Sequence, residues 1–218
     1  MAGLFSVRRV LLWLGSWALV ASVAYALPGF VITFEDDLIG APPRGFVFSW
    51  VRQPRSGVWE VRGNLLHRVL VHSADASLLG RSVAASTAAA PRDLRVTTRV
   101  RFANGTREGG VVWRYRDGHN GYVAGVSLVR GEAILFRVTA GNRVQLDRLD
   151  DLKLDPEAWH TLTVTNHGDD VRVHLDGIAV LHAHDSADEK GGAGVWSAGA
   201  AETWFDDLRV EPFPDPPR

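Results

Sequence analysis

The chain has 218 residues, 46% apolar and 22% charged, enough for one domain with its own core plus a leader and too few for two full domains. Its formal net charge is −1 and its 24 basic residues are scattered without a basic run, which argues against a nucleic-acid backbone binder. There is no cysteine, which excludes thiolate catalysis, zinc–thiolate and iron–sulfur ligation, and any disulfide.

Arg8-Arg9 precede an uncharged run from Val10 to Phe34, which Glu35-Asp36-Asp37 ends. A basic start, an apolar stretch and Ala24-Tyr25-Ala26 as an A-x-A cleavage site match a signal peptide. Val10 to Gly29 also has the length of a spanning helix, about 20 residues. Trp13 and Trp17 near one end and Tyr25 near the other suit interfacial aromatic belts, and the two arginines hold the N-terminus inside. Tryptophans are an unusual choice for a disposable segment. We therefore read residues 1–29 as one apolar helix and prefer a retained single-pass anchor over a cleaved signal peptide. Either reading places the rest of the chain outside the cytoplasm, on the periplasmic side of the inner membrane.

From Phe30 onward the pattern has a period of two. Leu94, Val96, Val100 and Phe102 alternate with Arg95, Thr97, Arg99 and Arg101, which predicts a strand with one buried and one wet face. Ile134, Phe136 and Val138 form another such stripe, and Val171, Val173 and Leu175 alternate with Arg172, His174 and Asp176. Turn signals separate the runs, among them Asn104-Gly105, Asp117-Gly118, Gly141-Asn142, Gly168-Asp169 and Asp176-Gly177. Ala84 to Ala90 is compatible with a helix by propensity, but it carries no stripe and Pro91 closes it. Asp155-Pro156-Glu157 predicts one short helical turn. Many evenly spaced antiparallel strands in one unit mean an all-β, two-sheet sandwich or a barrel. The predicted domain covers residues 30–211, followed by a Pro-rich tail over 212–218 that cannot continue a sheet.

The run Gly109-Gly110-Val111-Val112-Trp113-Arg114-Tyr115-Arg116-Asp117, with Asn120 and Tyr122, resembles a hairpin of bacterial concanavalin A-like, laminin-G-like sandwich domains. Such domains carry family-16 glycoside-hydrolase-like or 3-keto-disaccharide hydrolase labels. Glu157 to Leu162, Val173 to Gly177, Gly194 to Ser197 and Trp204 to Val210 fit the same pattern. The resemblance implies an antiparallel jelly-roll sandwich. It implies function only poorly, because this fold hosts lectins, glycanases and interaction modules. Two positions depart from the pattern: Gly121 stands where the family has an aromatic residue and Gly125 where it has an arginine.

Glycoside hydrolysis needs two carboxylates flanking the scissile bond. The E-x-D-x-E strand of family-16 glycanases is absent, since Glu35 alone starts E-x-D and Ile39 holds the third position. The preferred reading is therefore a non-catalytic extracytoplasmic module that recognises a glycan or a protein. The alternatives are a membrane-anchored accessory subunit of a larger complex and a sugar-active hydrolase. For a ligand, the first residues to consider are Trp113, Arg114, Asp117, Asn120 and Tyr122, which could equally form a packed hairpin with Arg114 paired to Asp117. Among the other tryptophans, Trp59, Trp159, Trp196 and Trp204 read as core for the most part, and Trp50 as the best candidate for exposure. Asp37, Asp206 and Asp207, on what should be the first and last strands, could hold a structural calcium; no other cofactor is implied. His182 and His184 share a strand face and could chelate a metal. With no H-E-x-x-H and no third ligand at telling spacing, a solvated face is the preferred reading.

Overall fold

The computed structural model describes residues 28–51, 57–74, 80–102, 108–186, 191–200 and 202–213, with the side chains of 50 and 51 excepted. Residues 1–27 of the expected apolar helix, with Trp13, Trp17 and Tyr25, and most of the Pro-rich tail lie outside the described residues; Pro28 and Gly29 are not helical, and Pro212 still pairs in the last strand, opposite Leu94.

The early strands are β1 (Phe30–Ile32), β2 (Phe46–Val51), β3 (Val58–Gly63), β4 (Arg68–Ser73) and β5 (Arg81–Ser86). The middle ones are β6 (Leu94–Phe102), β7 (Glu108–Asp117), β8 (Asn120–Ser127), β9 (Glu132–Thr139) and β10 (Asn142–Leu149). The last are β11 (His160–His167), β12 (Asp170–Leu175), β13 (Ile178–His184), β14 (Gly192–Ala198) and β15 (Glu202–Pro212). Among the described residues there is no helix. Ala84–Ser86 belongs to β5, and Asp155–Glu157 makes a turn rather than a helical segment.

The strands form two antiparallel sheets. The first runs β13-β12-β11-β6-β15-β4-β3, and β1 extends it by pairing with β15. The second runs β10-β9-β8-β7-β14-β5-β2. The first and last strands meet as expected, Phe30 opposite Val210 and Ile32 opposite Leu208. The acids Glu35-Asp36-Asp37, however, lie in a turn after β1 and not on it. Within β15 the register shifts between Asp206 and Arg209, and Asp207 sits there at φ 51°. That bulge lets Glu202–Phe205 pair with β4 and Leu208–Val210 with β1.

The core lies between the sheets. Val96, Val100, Phe102, Leu162, Val164, Val173 and Phe205 of one sheet meet Val111, Trp113, Tyr122, Ala124, Leu135 and Val195 of the other. The alternation in β6 and β12 holds as read, with their arginines turned outward. In β9 both parities are buried. Ala133 and Leu135 face the core, while Ile134 and Phe136 join Val83, Ala85, Val112, Val123, Trp196 and Ala198 in a second apolar cluster on the outer face of the second sheet. The second sheet therefore has two apolar faces, and one of them lies on the outside of the sandwich.

Candidate functional site

That outer face carries a cavity of about 570 Å³. Val83, Val112, Val123, Val138 and Trp196 line it, with Arg81, Tyr115, Asp117, His119, Asn120 and Arg143 supplying its polar groups. One end is marked by Glu108, Val129, Ala198 and Gly199, the other by Asp117–Gly121, Gly141 and Arg143, so the groove follows the direction of β7.

Its floor depends on glycines. Trp196 lies over the Gly110–Gly125 region, its Nε1 donating to the Ala124 carbonyl at 3.0 Å. A Cβ on Gly125 would stand 2.9 Å from Trp196 Cζ2 and 2.3 Å from the Gly109 carbonyl oxygen. The arginine expected at this position by resemblance has no room, because the indole of Trp196 occupies it. Gly121, in place of the family's aromatic, has φ 147° and no space beside Tyr115 Cα, so only glycine fits comfortably. The guanidinium of Arg81 lies 4.8 Å from the Phe136 ring centre and 5.1 Å from that of Trp196, and that of Arg143 lies 3.9 Å from Phe136. Cation–π contacts of this kind hold the two arginines over the floor.

The rim is ordered in advance. Both Asp117 oxygens accept from Asn120 Nδ2 (2.9 and 3.1 Å), and Oδ1 also accepts from the His119 amide at 2.7 Å. Partial burial pushes the Asp117 carboxyl up, but these hydrogen bonds win and hold it below its ordinary value. Asp117 is thus an ionised acceptor fixed in direction. Asn120 Oδ1 in turn accepts from the Ala140 amide at 3.0 Å, tying the β7–β8 turn to the β9–β10 turn.

The residues first considered for a ligand divide into two groups. Asp117 and Asn120 are on the groove. Trp113 and Tyr122 are fully buried between the sheets, their rings stacked with centres 5.3 Å apart, and cannot offer a face to a ligand. Trp113 Nε1 donates to Asn166 Oδ1 at 2.9 Å, a hydrogen bond that crosses the core from β7 to β11. Arg114, at φ 46°, occupies a register shift in β7 and is 1% exposed. It reaches Asp93 at 3.6 Å and the Gly168 carbonyl at 3.2 Å, so its carboxylate partner is Asp93 and not Asp117. The same bulge turns Tyr115 to the outer face, where it packs on the second cluster and its hydroxyl meets Ser49. Trp50 sits in β2 opposite Ser82, its side chain outside the described residues. Of the tryptophans read as core, Trp59 is buried, Trp196 floors the groove, and Trp159 and Trp204 are half-buried on the outer face of the first sheet, against Arg99 and Arg101.

The three acids considered for calcium face other groups. Asp37 Oδ1 accepts from the Arg44 amide (3.0 Å) and from Arg44 Nε (3.1 Å), and the Asp37 carbonyl accepts from Arg68 at 2.7 Å. Asp206 lies 3.5 Å from Arg99 and 3.8 Å from His67, and Asp207 lies 3.4 Å from Arg99. Burial pushes the Asp206 carboxyl above its ordinary value, despite the hydrogen bond it accepts from the Asp207 amide. With the folded value raised, the native state holds more protons than the unfolded chain between the two values, so Asp206 lowers stability as pH rises through that window. The variant Asp206→Asn keeps the acceptor for the Asp207 amide. It is expected to melt higher than the parent at neutral pH, with the difference closing as the pH falls to the ordinary aspartate range; thermal unfolding across pH checks this.

No family model matches the chain, and no curated protein matches it in sequence. Solved structures do match. A carbohydrate-binding module from Bacillus subtilis, CBM66, is 20% identical, with a TM-score of 0.62 over 77% of this chain and 95% of that one. Domain 4 of an extracellular GH43 arabinanase from Geobacillus stearothermophilus, solved in complex with arabinotriose, is 11% identical, with a TM-score of 0.55 over 86% and 94%. The globular domain of T. cruzi calreticulin is 12% identical, with a TM-score of 0.57 over 85% and 88%. At these identities the likeness establishes the jelly-roll sandwich fold.

Proposed function

We propose that this protein is a non-catalytic module that binds a carbohydrate chain along the outer face of its second sheet. The observation that carries the reading is the open groove of about 570 Å³, apolar in its floor and rimmed by oriented polar groups. A pyranose has apolar C–H faces and a hydroxyl edge, and a site with an apolar floor and a few directed donors and acceptors suits both. In this reading Asp117 accepts from sugar hydroxyls, the arginines Arg81 and Arg143 donate, and the half-buried ring of Tyr115 supplies a flat contact. That proteins of the same fold include a carbohydrate-binding module and a domain seen with arabinotriose supports the reading.

Hydrolysis is disfavoured by distance. The carboxylates that line the groove are Glu108 and Asp117, at opposite ends of β7. At the ordinary strand rise they stand about 25 Å apart or more, against about 5–9.5 Å between the two acids of a glycosidase. Glu108 is also engaged by Arg130 at 2.7 Å.

The test is a glycan array probed with the full chain, followed by affinity measurement on the best sugar. Arg143→Ala and Asp117→Ala, both exposed positions, are each expected to weaken binding about tenfold or more; Arg143→Ala should melt close to the parent, whereas Asp117→Ala also melts lower, because the turn loses the hydrogen bonds from His119 and Asn120. Unchanged affinity in both variants would remove the groove from consideration. We further propose an extracytoplasmic location, resting on the leader signals from Arg8 to Ala26. The intact mass of the protein from native membranes tests it: full length with detergent-dependent recovery fits an anchor, and co-purification with a stoichiometric membrane partner would favour the accessory-subunit reading.

A further inference from the structure

On the opposite sheet, the antiparallel pairing of β12 with β13 supplies what the spacing along the chain lacks. Asp170 stands opposite His184, and Arg172 opposite His182, so Asp170 shares one outer face with both histidines. One ligand atom from each of Asp170, His182 and His184 lies within 4.8 Å of the other two, the only such trio among the described residues. The histidine rings are 4.9 Å apart and set edge-on, and all three groups reach solvent.

We propose that Asp170, His182 and His184 bind a divalent transition-metal ion of the zinc type, with one coordination position left for water or for a group from another molecule. His182 Nε2 is 2.6 Å from Asp170 Oδ1, a contact whose bridging proton a metal would replace. Ligand atoms about 2.0–2.1 Å from a tetrahedral zinc lie roughly 3.3 Å from one another. The pair therefore opens by less than roughly 1 Å and His184 closes in by up to about 1.5 Å, both within reach of exposed side chains. Outer groups favour this geometry. Arg172 Nε holds the other Asp170 oxygen at 2.9 Å, which fixes the carboxylate and leaves Oδ1 as the ligand. The Asp169 carboxylate lies 3.7 Å from His184 Nδ1 and adds negative charge beside the cluster. Asp147 accepts the His182 amide at 2.8 Å from the edge of the other sheet, so the ion meets a surplus of carboxylate charge with Arg172 as the adjoining cation. The ion would also clip β13 to β12, at the open edge of the first sheet.

The probe is zinc alone, titrated calorimetrically into the full chain in detergent, with cobalt as a spectroscopic substitute. The expected result is one zinc per chain and, with cobalt, intense visible bands of tetrahedral coordination. Binding should vanish in His182→Ala and in His184→Ala and weaken in Asp169→Asn, which removes a neighbouring negative charge, while the metal-free variants melt with the parent because the sites are exposed. His67→Ala, remote from the cluster, should bind as the parent does. No heat of binding in the parent, or undiminished binding in the His182→Ala, His184→Ala double variant, would overturn the proposal. Glycan affinity at the groove is measured separately, so failure of one site leaves the other standing.

Discussion

Trp113→Ala is expected to lower the stability of the domain by about 3–5 kcal/mol, the usual cost of emptying a buried aromatic site. The indole is fully buried, stacks on Tyr122 and holds Asn166 from the facing sheet. Asn166 is itself buried, and its remaining hydrogen bonds run to the Gly168 and Asp170 carbonyls, so its Oδ1 is left without a donor when the indole goes. That orphaned acceptor adds about 1–3 kcal/mol of desolvation cost unless water enters the cavity. A melting temperature lower by about 10 °C or more follows for a domain of this size. Trp113→Phe keeps an aromatic ring against Tyr122 but loses the N–H and part of the indole volume, and is expected to cost about 1–3 kcal/mol, less than the alanine variant. A drop below about 1 kcal/mol in Trp113→Ala, read from urea unfolding, would mean that the ring is not in the core but at a surface.

Gly125→Arg, which installs the residue that the resembled family carries, is expected to damage the fold and the groove together. Its Cβ would meet the Gly109 carbonyl oxygen at 2.3 Å and Trp196 Cζ2 at 2.9 Å, and the first of these is backbone that cannot swing away. Forcing atoms into a packed site costs about 1–3 kcal/mol, occasionally more. The indole must also leave the floor, breaking its hydrogen bond to Ala124 and its contact with Arg81. Urea unfolding, tryptophan fluorescence and glycan affinity should all change in this variant, whereas Arg143→Ala changes affinity alone. A Gly125→Arg protein with parental stability and affinity would show that Trp196 does not lie across this position.

The division of the β7–β8 residues between groove and core has a partly local cause. Asp117-Gly118 and Asn120 announce a tight turn, and turn residues sit at the surface, so their place on the groove followed from local chemistry. Trp113 and Tyr122 share the same hairpin, but the face a strand residue takes is decided by the partner sheet, and here both parities of β7 are apolar. Tyr115 was hidden for a further reason: the bulge at Arg114 shifts the alternation by one, and no local pattern announces a left-handed arginine. Arg81 and Arg143 were illegible because they come from strands far apart in the chain and meet only over Phe136.

By itself the sequence determined the all-β antiparallel class, narrowed to a sandwich or a barrel, the meeting of the first and last strands and the absence of thiol chemistry, because alternation, turn residues and composition are local properties. The tertiary structure alone decided which apolar face is the core and which is the groove, that Trp196 looks outward while Trp113 looks inward, and that Asp170 joins His182 and His184. The physical reason is that a period of two specifies two faces without saying which is buried. Only the register between strands distant in sequence, and the packing of one sheet on the other, chooses between them.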